Sequence, residues 1–99
     1  MRERDIEKLL VSAVKKRGGR AYKWVSPGNA GVPDRIVIFP GRPPVFVELK
    51  AETGALTDLQ RVQIKRLLDL GQDVVVVKGL SGLRQFFHVR GLGVVQDDF

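Results

Sequence analysis

Apolar positions recur along this chain with two different periods, and the points where the period changes mark out its elements. From Arg2 to Arg17, Ile6, Leu9, Leu10, Ala13 and Val14 return every three or four residues, and Val11 widens the stripe. That spacing predicts an amphipathic helix. Lys15, Lys16 and Arg17 suit the negative end of its dipole, and Gly18-Gly19 stops it. Arg20 to Val25, with Ala21, Tyr22, Trp24 and Val25, favours the extended state. Ser26 to Gly31 has loop composition throughout. Ile36 to Phe39 and Val45 to Lys50 read as two further strands, joined through Pro40-Gly41-Arg42-Pro43-Pro44 as a hairpin. Glu52-Thr53-Gly54 breaks the sheet, and a second helix runs from Thr57 to about Leu70, with Gly71 as its stop signal. Asp73 to Lys78 contains four consecutive valines, which predicts a strand covered on both faces. Leu80 to about Val89 reads as a short helix; it carries the single histidine, His88, which is read as structural.

The order α-β-β-β-α-β with a short C-terminal helix predicts an α/β fold, a mixed sheet flanked by helices. A length of 99 residues accommodates one domain, spanning 1–99, with a modest core. The absence of cysteine excludes disulfides and thiolate metal sites. No apolar run approaches the ~20 residues of a membrane span. The charged N-terminus does not resemble a signal peptide, so the expected location is the cytoplasm of the producing cell. Charge changes the picture more. The formal net charge is +6, and eight of the 17 basic residues fall in the first 25 positions: Arg2, Arg4, Lys8, Lys15, Lys16, Arg17, Arg20 and Lys23. Such a surface concentrates polyanions, and DNA or RNA is the natural partner.

The candidate chemistry lies where two strands meet. Asp34 opens the second strand, directly after the glycine-rich loop, and Glu48 and Lys50 lie two apart near the end of the third. Residues two apart on a strand share a face, so a hairpin brings two carboxylates and one ammonium into a small region. Carboxylate oxygens suit Mg²⁺, which keeps water ligands for chemistry. A metal there can acidify a water and orient a phosphate, and Lys50 can position that water or neutralise charge on the phosphate. The Leu49 carbonyl, between them, is a further candidate oxygen ligand. Taken singly, each residue has a plain structural role: Asp34 as the closure of an Asx turn, Glu48 and Lys50 as neighbours on a solvated strand.

Together these residues carry a resemblance. Gly31-Val32-Pro33-Asp34-Arg35, with 13 residues separating Asp34 from Glu48, and then Glu48-Leu49-Lys50 resemble the PD-(D/E)xK nuclease superfamily. More narrowly, with Ile6-Glu7, Gly18-Gly19, Ala21, Lys23, Ser26-Pro27-Gly28 and Gln60, the chain is similar to the stand-alone VRR-NUC domains of phages and bacteria over about residues 3 to 78. The resemblance implies a restriction-endonuclease-like fold and Mg²⁺- or Mn²⁺-dependent cleavage of DNA. It assigns metal binding to Asp34, Glu48 and the Leu49 carbonyl, and catalysis to Lys50. It also implies an acidic residue on the first helix. Glu7 is preferred there, at the edge of the apolar stripe; Glu3 is the alternative. Gln60 is either an active-site group, as the resemblance implies, or half of a capping box with Thr57. Lys23, Ser26 and Arg35 are candidate DNA contacts.

The leading expectation is an endodeoxyribonuclease, and the resemblance implies structured or branched DNA, such as Holliday junctions, as its target. A protomer this small has one site, and cutting both strands of a symmetric junction takes two sites related by a two-fold axis, hence an expected homodimer. Phe86, Phe87 and Leu92 point to the C-terminal tail as part of that interface. A non-catalytic basic DNA-binding module and an RNA-processing nuclease are the competing readings.

Overall fold

The computed structural model describes residues 1–93. Its elements are α1 (Glu3–Lys16), β1 (Arg20–Lys23), β2 (Arg35–Ile38), β3 (Val45–Lys50), α2 (Asp58–Asp69), β4 (Asp73–Lys78) and α3 (Gly79–His88). The order is the one the hydrophobic pattern predicts, with ends shifted by a residue or two. The strands form one mixed sheet in the order β1-β2-β3-β4. β1 and β2 are antiparallel, as are β2 and β3, and β4 joins β3 in parallel after the α2 crossover.

Strand alternation divides the sheet into two unlike faces. Val37, Val45, Val47, Leu49 and Val77 point to one side, where they meet Ile6, Leu10, Ala13 and Val14 of α1 and Leu83, Phe86 and Phe87 of α3. All of these side chains are buried, and this is the hydrophobic core. α1 ends where Gly18 takes a positive φ and Gly19 N–H closes on Val14 O. Gly19 lies so close to β2 that a Cβ there would stand 2.6 Å from Ile38 O, which is why the strand can follow the helix without a gap.

The other side carries Trp24, Ile36, Phe46, Glu48, Val74 and Val76, by alternation from the paired register. α2 alone covers it among the described elements, and α2 has no fully buried residue. Trp24 packs on Phe46 with ring centroids 5.2 Å apart, outside the main core.

Two expectations are corrected here. The valine run of β4 is not covered on both faces: Val77 is buried but Val76 is 38% exposed. β4 is an edge strand, and a run of valines reports strand preference without reporting how much of the second face a helix will reach. Phe86 and Phe87 are core residues rather than interface residues, and Leu92 packs against the same cluster. The remainder of the C-terminal tail expected at an interface, residues 94–99, lies outside the described residues.

Candidate active site

Asp34 is aimed by both its neighbours and its partner strand. Its backbone oxygen accepts from Trp24 N–H, which extends the pairing of β1 with β2 to the mouth of the loop. Its carboxylate Oδ2 accepts from Leu49 N–H at 2.8 Å, bridging to β3 where the β2–β3 ladder ends. Leu49 N–H therefore faces Asp34. In an extended strand the N–H and C=O of one residue project to the same side, so the Leu49 carbonyl is directed toward Asp34 as well.

Glu48 is the one charged residue buried among the described residues, at 1% exposure. Its Oε2 accepts from Gln60 Nε2 at 3.3 Å, while its Oε1 is buried with no hydrogen-bond partner. A bare carboxylate oxygen in such a place is costly. Burial raises the Glu48 pKa to about 8, helped by the neighbouring Asp34 carboxyl; Lys50 opposes the shift and Glu3 adds slightly to it. The group is thus held ready for a positive species, either a proton shared with Asp34 or a cation.

Gln60 caps α2 and also reaches Glu48. Thr57 Oγ1 accepts from Gln60 N–H at 3.2 Å, and Gln60 Oε1 accepts from Thr57 N–H at 2.9 Å, a complete capping box. The Thr57 backbone N–H can only donate, so it fixes the amide with Oε1 toward the cap and Nε2 toward Glu48. The glycine loop is docked on the same helix end. Gly31 has φ +89°, and a Cβ on it would stand 2.6 Å from the Leu59 carbonyl carbon. Gln63 Nε2 also donates to Ala30 O at 3.3 Å. The loop, α2 and β3 therefore hold Asp34, Glu48 and Gln60 in one arrangement.

Lys50 ends β3 with its side chain 12% exposed and its Nζ 4.0 Å from Glu3 Oε1. Glu3, not Glu7, is thus the α1 carboxylate that approaches Lys50. Glu7, preferred on sequence grounds, instead accepts from Arg35 Nε at 2.8 Å and pairs with Lys23 Nζ at 3.3 Å. Arg35 also donates to Ala21 O at 3.0 Å. Two of the expected DNA contacts, Lys23 and Arg35, therefore belong to a separate ion cluster beside the site. The third, Ser26, accepts through Oγ from Asn29 Nδ2 at 2.9 Å and helps close the loop. Glu3 and Glu7 lie four apart on one helix face, so periodicity does not separate them. The signal available in the sequence was Arg35, a cation placed directly after Asp34 and able to claim one of them.

Among the described residues no three Asp, Glu, His or Cys side chains converge as a ready-made cation cage. A cation held here would take two carboxylates, a backbone carbonyl and water, a donor set suited to Mg²⁺ or Mn²⁺. The site sits apart from a surface concavity of about 650 Å³, which lies at the other end of the sheet between Gly18 and Pro43.

Comparison with known proteins agrees with this geometry. No family model matches the chain. A protein named "Putative nuclease p44", from Acyrthosiphon pisum secondary endosymbiont phage 1, is 51% identical over 77 residues, covering 78% of this chain and 83% of that protein. A solved VRR-NUC domain superposes with a TM-score of 0.80 at 25% identity, over 87% of this chain and 94% of the other. No helix among the described residues is long and apolar enough to cross a membrane. With this fold, these relatives and this carboxylate–lysine arrangement, the chain belongs to the VRR-NUC nucleases of the PD-(D/E)xK superfamily, of the type found in phages.

Proposed function

We propose that the protein is a divalent-metal-dependent endonuclease that hydrolyses DNA phosphodiester bonds, with branched DNA such as Holliday junctions as its target and a homodimer as its working form. The observation that carries the reading is the buried, partnerless Oε1 of Glu48, set beside Asp34 and two residues from Lys50. An apolar or simply structural site has no use for an unsatisfied carboxylate oxygen at 1% exposure.

Asp34, Glu48 and the Leu49 carbonyl are the groups that would hold Mg²⁺ or Mn²⁺, with Glu3 the nearest acidic residue of α1. The bound ion supplies a water acidified for attack and a counter-charge for the phosphate. Lys50, shielded from solvent, presents its ammonium where charge builds on the phosphate or where the attacking water must be oriented. Gln60 keeps Glu48 in place through Nε2 and is itself immobilised by the Thr57 cap. Branched DNA comes from the family resemblance. The homodimer follows from the target, because two symmetric cuts need two sites on a two-fold axis.

The test is cleavage of a labelled four-way junction, a matched duplex and a matched RNA, with Mg²⁺ or Mn²⁺ and with chelator. Wild type should cut the junction only with metal, while Lys50→Ala and Asp34→Ala should bind it and leave it whole. Binding without cutting by all three proteins would leave a DNA-binding module, and preferential cutting of the RNA would move the substrate class. A sedimentation profile of monomer alone, with both junction strands still cut, would remove the dimer.

A further inference from the structure

The outer face of α1 carries a second feature that the nuclease site does not use. A groove of about 470 Å³ is lined by Arg4, Lys8 and Lys15 of α1, with Ser12 and Val11 between them, and by Arg35 and Glu7 at its inner side. At 100° per residue, Arg4, Lys8 and Lys15 fall within roughly 40° of one another around the helix. They lie nearly opposite the buried stripe of Ile6, Leu10, Ala13 and Val14.

A run of cations on a helix is ordinarily a solvated face balanced by acids three or four residues away. α2 shows that ordinary arrangement: Lys65 pairs with Asp69 at 2.8 Å and Arg61 with Asp58 at 3.7 Å. α1 departs from it. Among the described residues no carboxylate lies within ion-pairing distance of Arg4, Lys8 or Lys15. The single carboxylate in the groove, Glu7, is already occupied by Arg35 and Lys23. Among the described residues the groove therefore presents net positive charge to solvent.

Its position connects it to the chemistry. Arg4 adjoins Glu3, whose carboxylate reaches Lys50, and Arg35 directly follows Asp34. From Arg4 to Lys15 the helix rises roughly 16 Å. Measured along a duplex axis, one strand passes on the order of five phosphates in that distance, and fewer along the backbone itself. We propose that this groove carries the sugar–phosphate backbone of the DNA arm leading into the active site, with Arg4, Lys8 and Lys15 each neutralising a phosphate. The Glu7–Arg35–Lys23 cluster then serves to cancel the one negative charge in the path and to fix the groove's inner wall. The inference rests on the nuclease reading for its choice of DNA, but it is read by binding rather than by cleavage.

The experiment compares wild type with two triple variants of equal charge. One is Arg4→Gln, Lys8→Gln, Lys15→Gln. The other is Lys65→Gln, Arg66→Gln, Arg84→Gln, on α2 and α3. Glutamine keeps the helix propensity of the residues it replaces, and the single variant Lys8→Gln provides a milder copy of the first. Binding to labelled duplex and junction DNA is followed across a salt titration with Ca²⁺ present, and cleavage is followed with Mg²⁺. The α1 triple should lose tenfold or more in affinity. The slope of log affinity against log salt should fall by about 2–3, and by about 1 for Lys8→Gln. Its KM should rise while cleavage at saturating DNA stays within a few-fold of wild type. The control triple should keep the wild-type slope. Equal losses in both triples, or a wild-type slope in the α1 triple, would overturn the groove and leave the nuclease standing. A wild type that binds DNA but cuts nothing would sink the nuclease reading instead, and the slopes would still decide the groove.

Discussion

The two faces of the sheet are built from the same strands, yet they behave as different materials. Val45, Val47 and Leu49 look into a closed core between sheet, α1 and α3, where every contributing side chain is at most 4% exposed. Phe46 and Glu48, alternating with them, look toward α2, a helix that buries none of its own residues fully and leaves Leu59, Val62 and Leu68 in solvent. The difference teaches how a domain of this size separates stability from chemistry. Its closed face supplies most of the apolar burial, so its other face can hold a buried carboxylate with an unpartnered oxygen and leave the ground above it partly open. At the N-terminus of α2 the open face is covered over Glu48, where Gln60 reaches its carboxylate.

The comparison breaks most directly on a pair of truncations. Phe87→Ala removes a fully buried ring that packs edge-on against Phe86 at 5.1 Å and beneath the Arg17 guanidinium. It should cost about 3–5 kcal/mol in urea denaturation, enough to unfold much of a domain this small. Trp24→Ala removes a larger ring, but a half-buried one with Phe46 as its aromatic neighbour, so its cost should be well below that of Phe87→Ala despite the greater volume. Equal costs would mean that the two faces are equally packed.

Glu48 gives the next largest effect, and here the sign matters. Its folded pKa is raised to about 8 from an ordinary 4.5, chiefly by burial. Between those values the folded protein keeps a proton that the unfolded chain has released, so metal-free stability falls as pH rises through that window. The contribution is fully present below the unfolded pKa and is gone above the folded one. Glu48→Gln should flatten this dependence, leave the metal-free variant more stable than wild type at alkaline pH by on the order of a few kcal/mol, and abolish cleavage. Denaturation of the metal-free protein across pH checks it; a Glu48→Gln variant that keeps the wild-type slope would place the titration elsewhere.

How much of this was legible in the chain depends on which face is asked about. The core face was readable, because Ile6, Leu10, Ala13 and Val14 repeat at helical spacing and Val45, Val47 and Leu49 at strand spacing, and periodicity reports burial directly. The carboxylate–lysine arrangement was readable for the same reason, since Glu48 and Lys50 share a strand face. What escaped was everything set by how elements meet. The valines of β4 do not say that the strand ends up at an edge. Which of Glu3 and Glu7 approaches Lys50 is set by the packing of α1 against the end of β3 and by the guanidinium of Arg35, neither of which periodicity reports. Phe86 and Phe87 look like tail residues in the sequence, and only the return of α3 over the sheet makes them core.

The smallest effect is the most discriminating, because it divides a single side chain. Gln60 caps α2 through Oε1 and steadies Glu48 through Nε2. Thr57→Ala removes the hydroxyl that accepts from Gln60 N–H, a cap whose loss costs about 1 kcal/mol. It leaves the Thr57 backbone N–H in place, so Gln60 keeps its amide orientation and its bond to Glu48. Cleavage should therefore stay within a few-fold of wild type. Gln60→Glu keeps an oxygen for the backbone N–H of residue 57 but cannot donate to Glu48, and it sets a like charge beside that carboxylate. Its stability loss should be comparable to that of Thr57→Ala near neutral pH, while its cleavage should collapse and its metal-free pH dependence should steepen. If the two variants lose activity in step with their loss of stability, Gln60 is only a cap, and the closing of the open face over Glu48 is an accident of helix packing. If activity separates from stability, the helix end is part of the site, and the open face is closed at the one place where chemistry needs it.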